Sequence, residues 1–249
     1  MSRAGLALFM GLWIASAHAA EAPGVSMRTA DIDLNDRPAL QRGAKLFVNY
    51  CLSCHSLQYV RFKHVQRDLG LTEAQVESNL MFTTDRIWNP MTVAMSREDG
   101  KRWFSAPPPD LSVAARSRGP DWIYNYLLTF YKDDDPARPA GVNNLVFSGT
   151  AMPHVLWELQ GVQVPVYREV EGSDGHATRV IEGLELEQPG LLNPAQYRRV
   201  ARDITTFLTY VGEPAKMVRY DIGLWVLLFL AVLFVLTYLL YKEYWHDIH

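Results

Sequence analysis

Cysteine is nearly absent from this chain: 249 residues contain two, Cys51 and Cys54. That excludes a disulfide-stapled scaffold, which needs several pairs. It also argues against structural zinc, which takes about four ligands from two Cys pairs or from Cys and His at set spacings. A strong charge of either sign is missing as well. With 24 basic against 27 acidic residues, the mild acidity argues against nucleic acid as a partner and permits a basic protein one. There is no internal repeat and no low-complexity tract. Long apolar runs are confined to the two ends of the chain.

The two cysteines stand together in Cys51-Leu52-Ser53-Cys54-His55. Cys-x-x-Cys-His is the spacing of a c-type haem attachment site. Each thiol can add across one vinyl group of the porphyrin, and the adjacent imidazole reaches the iron from the proximal side. A thioredoxin-like redox disulfide would need a flanking βαβ pattern and no histidine. Here Val48-Asn49-Tyr50 instead continues a helical run into the motif.

The N-terminal run agrees with that chemistry. Arg3 precedes an apolar stretch from Ala4 to Ala15, and Ala17-His18-Ala19 has the small-x-small form of a cleavage site. Residues 1–19 are therefore expected to be a signal peptide, with the mature chain starting at Ala20. Haem is joined to thiols outside the bacterial cytoplasm, so export and the motif explain each other. Losing the signal removes only Arg3 and leaves 23 basic against 27 acidic residues, a net −4.

The C-terminal run, Ile222 to Tyr241, carries no charge over 20 residues, about enough to cross a ~30 Å hydrocarbon layer as a helix. Trp225 near one end and Tyr238, Tyr241, Tyr244 and Trp245 near the other suit interfacial aromatic belts. Lys216, Arg219 and Lys242 do not set an orientation, so that rests on the signal peptide. The expected layout is a periplasmic domain at 20–220, an anchor at 221–241 and a cytoplasmic tail at 242–249, placing the chain in a bacterial inner membrane.

Within the exported part, helix signals cluster at both ends. Asp36-Arg37-Pro38 supplies an N-cap and an early proline, with Leu40, Gly43, Leu46, Phe47 and Tyr50 on one face. Asn193-Pro194 starts a second helix whose face holds Tyr197, Val200, Ile204, Phe207 and Leu208, ending near Gly212-Glu213-Pro214. In small c-type cytochromes such first and last helices cross, which here would bring Gly43 and Phe47 against Phe207 or Tyr210. Between them the chain is irregular and rich in Pro and Trp. Thr72 caps a short helix, Gly119-Pro120-Asp121 leads into a helix running through Trp122, Tyr124, Leu127 and Phe130, and Val164 to Ile181 alternates like a β-hairpin around Gly172-Ser173-Asp174-Gly175. The expected fold is mainly α: a class I cytochrome c-like domain with long irregular insertions and a β-hairpin, plus one C-terminal transmembrane helix.

An electron-carrying haem iron wants a sixth ligand bound in both oxidation states, and Met sulfur opposite His raises its potential. Met81, Met91, Met95 and Met152 are the candidates left after the signal, the chain start and the membrane border are set aside. Met152 is favoured because Ala151-Met152-Pro153 is a constrained turn after Gly149, late in the chain. Each methionine could equally be core packing, and His64 or His154 would serve a bis-His site.

Three segments together resemble the cytochrome c1 family: Val48 to Leu57 around the haem motif, Ala106-Pro107-Pro108-Pro109-Asp110-Leu111-Ser112, and Ala151-Met152-Pro153-His154-Val155-Leu156-Trp157, followed by the C-terminal anchor. The resemblance covers essentially the whole chain. It implies one covalent haem c held by Cys51, Cys54 and His55, with Met152 as the sixth ligand. Pro108, Pro109 and Leu111 are implied to lie against the ring. Arg102 is the nearest match for a propionate partner, with Lys101, Arg116 and Arg118 as competitors. The hairpin looks like the bacterial form of the family.

In function, the resemblance implies the haem subunit of a dimeric, respiratory cytochrome bc1 complex with cytochrome b. It would take single electrons from a Rieske iron–sulfur protein and pass them to a soluble c-type cytochrome, and the chain alone would be a carrier. A membrane-tethered monohaem cytochrome feeding an oxidase or reductase, and a tethered disulfide exchanger, are the other classes considered. The acidic run Asp133-Asp134-Asp135 is either a solvated turn or a steering surface for a basic cytochrome c.

Overall fold

Capping chemistry starts the first helix where the sequence predicts it. In this computed structural model, which describes residues 26–138, 140–171 and 177–246, the Asp36 carboxylate accepts from the Ala39 amide at 3.0 Å. Helix α1 then runs Arg37–Tyr50. The signal-peptide reading, the hairpin turn at 172–175 and the last three residues of the expected tail lie outside the described residues. In chain order follow β1 (Leu57–Arg61), α2 (Phe62–Leu69), α3 (Glu73–Asn79), β2 (Pro90–Met91), α4 (Arg97–Phe104), α5 (Ala114–Arg118), α6 (Pro120–Leu128), β3 (Phe130–Lys132), β4 (Val142–Asn144), α7 (Trp157–Gln160), β5 (Gly161–Glu171), β6 (Ala177–Pro189), α8 (Pro194–Gly212) and α9 (Lys216–Tyr244). The strands form three antiparallel two-stranded ladders: β1 with β2, β3 with β4 and β5 with β6. The architecture is the mainly helical one expected, with an apolar helix at its C-terminal end.

The core is organised by the crossing of α1 and α8. Asn193 and Gln196 form a reciprocal capping box that starts α8, and its expected apolar face is buried at Tyr197, Ile204, Phe207 and Leu208. The Phe47 and Phe207 ring centroids are 5.7 Å apart, and Tyr210 continues the cluster. Burying each such aromatic contributes roughly 1.5–3 kcal/mol. The approach depends on Gly43: an added Cβ there would overlap the Asp203 carbonyl oxygen and stand 2.8 Å from the Phe207 Cβ. Polar contacts then fix the register of α8. Arg42 pairs with Asp203 through two hydrogen bonds of 2.7 and 3.0 Å. The Tyr210 hydroxyl donates to Asp68 on α2 at 2.8 Å, and the Tyr197 hydroxyl donates to the Leu127 carbonyl on α6 at 2.7 Å.

Two expected boundaries are corrected. The helix entered at Gly119-Pro120 stops at Leu128 rather than running through Phe130. The Thr129 hydroxyl folds back onto the Asn125 carbonyl at 2.8 Å. The amides of Gln160 and Gln163 take the Leu128 carbonyl, and Phe130 pairs with Asn144 as a strand. The hairpin is longer than its alternation suggests, extending from Gly161 to Pro189 rather than from Val164 to Ile181. Bulges between Val162 and Gln163 and between Val166 and Tyr167 shift the register, so the period-2 pattern breaks before the ladder does. At its base Gly161 and Gly190 are back to back, and a side chain on either would collide with the other strand's backbone.

The acidic run is a folded turn. Asp133 accepts from the Asn143 amide at 2.8 Å and lies 3.6 Å from Arg138, and Asp135 accepts from the Ala137 amide. Asp134 faces solvent near Lys132. Helix α9 spans 29 residues, about 44 Å at 1.5 Å per residue. Its apolar part, Ile222–Tyr244, is uncovered by the rest of the described chain.

Candidate haem site

The last turn of α1 delivers the haem motif. Cys51 caps the helix, its amide donating to the Phe47 carbonyl at 2.8 Å, and the Cys54 and His55 amides both return to the Cys51 carbonyl. Both thiols are free. Burial pushes the Cys51 thiol up to about 12, which keeps it protonated. A buried, protonated Cys51 is a poor attacking thiolate. Among the described residues no group of three or more His, Cys, Asp or Glu side chains could hold a metal ion, which leaves a zinc reading without ligands.

The Pro-rich segment is tied to the stretch after the motif by a run of hydrogen bonds. The His55 Nδ1 lies 2.7 Å from the Pro109 carbonyl oxygen. A carbonyl only accepts, so Nδ1 carries the proton and Nε2 keeps its lone pair. Desolvation lowers the His55 pKa, favouring this neutral form. The Asp110 carboxylate accepts from the Gln58 and Ser112 amides at 2.9 and 2.8 Å, and the Ser112 hydroxyl accepts from the Tyr59 amide at 3.2 Å. The Leu111 amide donates to the Ser56 carbonyl at 2.9 Å. Asp110 and Ser112 therefore set the position of the Pro109 carbonyl, and through it the orientation of the imidazole. Helix α4 lies against the same segment, because a Cβ at Gly100 would stand 2.7 Å from Pro108 Cδ. Pro108 and Leu111 are half-buried, Pro109 is exposed, and Leu111 packs on the core.

Met152 follows the β4 turn, and its sulfur is held by a residue the sequence did not single out. The Tyr126 hydroxyl donates to the Met152 Sδ at 3.5 Å and lies 2.8 Å from the Thr150 hydroxyl. The Thr150 Oγ1 in turn accepts from the Met152 amide at 3.4 Å. Burial raises the Tyr126 pKa, so its proton is retained. Trp122 stacks on the Tyr126 ring at 5.1 Å and Phe130 meets it edge-on at 5.0 Å. Tyr126 left no local signal, since it sits 26 positions from Met152 in sequence; the aromatic spacing 122, 126, 130 was its only trace.

The other candidates are accounted for by the fold. Met81 and Met91 are core residues, and Met91 lies opposite Leu57 in the β1–β2 ladder. Met95 lies beside Gly100. His154 stacks flat on Phe130 at 4.8 Å, and its desolvation brings its pKa down to about 4. His64 is half-buried on α2. Arg102 is exposed on α4, paired with Asp99 and set against Trp103. Arg118 lies over the Trp122 ring at 5.0 Å.

A Cys-x-x-Cys-His turn on the first of two crossed helices, with an imidazole offering its Nε2 and an uncovered apolar tail helix, defines a membrane-anchored protein of the c-type cytochrome class. Comparison with known proteins narrows the class. The cytochrome C1 family model matches residues 30–101 and 192–248. Relatives include cytochrome c1 of Allochromatium vinosum, 48% identical over 226 residues and 91% of each chain. Another is a protein named ammonia monooxygenase gamma subunit of Nitrosomonas europaea, 41% identical over 98% of this chain and 97% of that one. A third, cytochrome b/c1 of Bradyrhizobium diazoefficiens, is 28% identical over 86% of this chain and 34% of its own length. The chain belongs to the cytochrome c1 family. It is thereby a haem-binding electron-transfer subunit of the bc1 oxidoreductase type.

Proposed function

We propose that this chain holds one haem c: Cys51 and Cys54 would carry it covalently, and the His55 Nε2 and the Met152 Sδ would ligate its iron. In this reading it takes single electrons from a Rieske iron–sulfur protein and passes them to a soluble c-type cytochrome, within a dimeric complex containing cytochrome b. The proposed layout has a signal peptide at 1–19, a haem domain at 20–220 in the periplasm, an anchor at 221–241 in a bacterial inner membrane and a cytoplasmic tail at 242–249. The observation that carries the proposal is the 2.7 Å contact from His55 Nδ1 to the Pro109 carbonyl, which leaves the other ring nitrogen for a metal.

When bound, haem c supplies a one-electron Fe(III)/Fe(II) couple. The residues around it do the positioning. Asp110 and Ser112 hold the Pro109 carbonyl, which fixes the His55 tautomer and strengthens the imidazole as a donor. Pro108, Pro109 and Leu111 offer an apolar, inflexible wall for the ring. Tyr126 and Thr150 hold the Met152 sulfur in one orientation, so little rearranges between oxidation states. Arg102 is the residue that would pair with a propionate.

The test is a pyridine haemochrome spectrum of the denatured chain, together with isolation of the native membrane complex. One covalent haem per chain and co-purification with cytochrome b are expected. Haem that washes out of the denatured chain would overturn the attachment, and a chain isolated without cytochrome b would favour the tethered monohaem carrier.

Two further results are expected. Replacing Tyr126 by Phe removes the hydrogen bond to the sulfur and should lower the potential by a few tens of mV, where 59 mV corresponds to a tenfold change for one electron. An unchanged potential in redox titration would show that the hydroxyl is not engaged. Ending the chain after Met217 should release a soluble, haem-bearing domain, since the apolar span begins at Ile222. Product retained in washed membranes would show that contacts outside α9 hold it.

A further inference from the structure

The crossing of α1 and α8 leaves an open groove of about 860 Å³ on the outer side of the two helices. Its apolar lining is supplied by Leu46, Tyr50, Leu192 and Val200, and Lys45 and Arg199 flank it. Arg42 and Asp203, also in the lining, neutralise each other in their bidentate pair. Lys45 and Arg199 are exposed, and neither belongs to an ion pair among the described residues. The groove therefore carries two uncompensated positive charges on a chain whose net charge is negative. Its lining includes Tyr50, the residue before Cys51, the first proposed thioether.

An apolar floor with a charged rim is the anatomy of a transient protein interface: the floor excludes water, and the rim steers encounter and sets the sign of the partner. The acidic alternative is weaker on this molecule. Two of that loop's three carboxylates are paired with cations, Asp133 with Arg138 and Asp134 with Lys132, each at 3.6 Å. We infer that the groove between α1 and α8 is a docking surface for a soluble electron-transfer protein whose surface is acidic around an apolar patch. This rests on the electron-transfer reading above and specifies the chemistry of the acceptor.

The experiment uses the full chain in its purified membrane complex, with quinol as reductant and two soluble c-type cytochromes as probes, one acidic and one basic. The chain is wild type, Lys45→Glu/Arg199→Glu or Lys45→Gln/Arg199→Gln. With the acidic probe, wild type should react faster at low ionic strength than at high. The charge-reversed pair should be slower by about tenfold or more at low salt and the glutamine pair by less, with all three converging at high salt. The reversed pair should gain rate with the basic probe. Equal rates for wild type and the reversed pair with the acidic probe would overturn the inference. So would a wild-type preference for the basic probe that is lost in Asp134→Asn. A change in sedimentation of the complex with probe rates intact would assign the groove to a second copy of the chain. Loss of binding to anionic lipid vesicles with probe rates intact would assign it to lipid; either outcome overturns the inference as well. The haemochrome spectrum and the reduction of the chain by quinol, read on the same samples, separate the two claims. If wild type fails those, the electron-transfer reading falls; if it passes them and the probe rates ignore the groove charges, only the docking surface does.

Discussion

Replacing Met152 by leucine is expected to abolish the weak near-infrared sulfur-to-iron band of the oxidised protein and to lower its potential by on the order of 100 mV or more, within the ~0.8 V range that axial ligands span. A thioether opposite histidine raises the potential, and leucine offers no donor in its place. Leu and Met are close in volume, a swap that usually costs under ~1.5 kcal/mol in a packed site, so the domain should stay folded and retain its covalent haem. Tyr126 and Thr150 would keep their mutual 2.8 Å contact while the hydroxyl loses its sulfur acceptor. A Met152→Leu protein with the band and the potential intact would show that another group ligates the iron. Of the remaining methionines, Met81 and Met91 are packed in the core.

Replacing Gly43 by alanine should cost about 2–3 kcal/mol, although alanine is the better helix former by ~1 kcal/mol. The new methyl would meet the Asp203 carbonyl and the Phe207 Cβ. Neither is the free end of a flexible side chain, so α1 and α8 must separate. Overpacking of this kind costs ~1–3 kcal/mol and at times more, and here it also strains the Arg42–Asp203 pair and the Phe47–Phe207 contact. At this size each kcal/mol shifts the midpoint by roughly 2–4 °C, so thermal unfolding of the haem-bearing protein should move down by about 5–10 °C. An unchanged midpoint would show that the crossing is looser than the geometry indicates. Haem content should stay near one per chain in either case, because the Cys51–His55 motif is untouched.

The elements legible in the sequence are those written in contiguous residues. The haem motif is five consecutive residues, and its chemistry follows from the order of thiol, spacer, thiol and imidazole. The first and last helices announce themselves through Asp36, Asn193 and their 3.6-residue apolar faces. Gly43 could be placed at their crossing because in small c-type cytochromes a small residue there lets an aromatic approach. The tail helix needs only 20 residues without charge. Met152 was reached differently: its constrained turn favoured it among several methionines, and the family resemblance then implied it as the sixth ligand.

Local sequence alone determined the Cys51–His55 turn, the first and last helices and the apolar tail, because capping, periodicity and motif spacing act over a few residues. Only the tertiary structure decided the rest, where the partners are far apart in the chain. The Pro109 carbonyl reaches His55 across 54 positions, the Tyr126 hydroxyl reaches Met152 across 26, and Asp203 reaches Arg42 across 161. The same holds for the end of α6, where the side chains of Gln160 and Gln163 take the last helical carbonyl, and for the hairpin, whose bulges erase the alternation that would have marked its ends. Hydrogen bonds of this kind depend on where the backbone has been brought by packing, and no single segment carries that information.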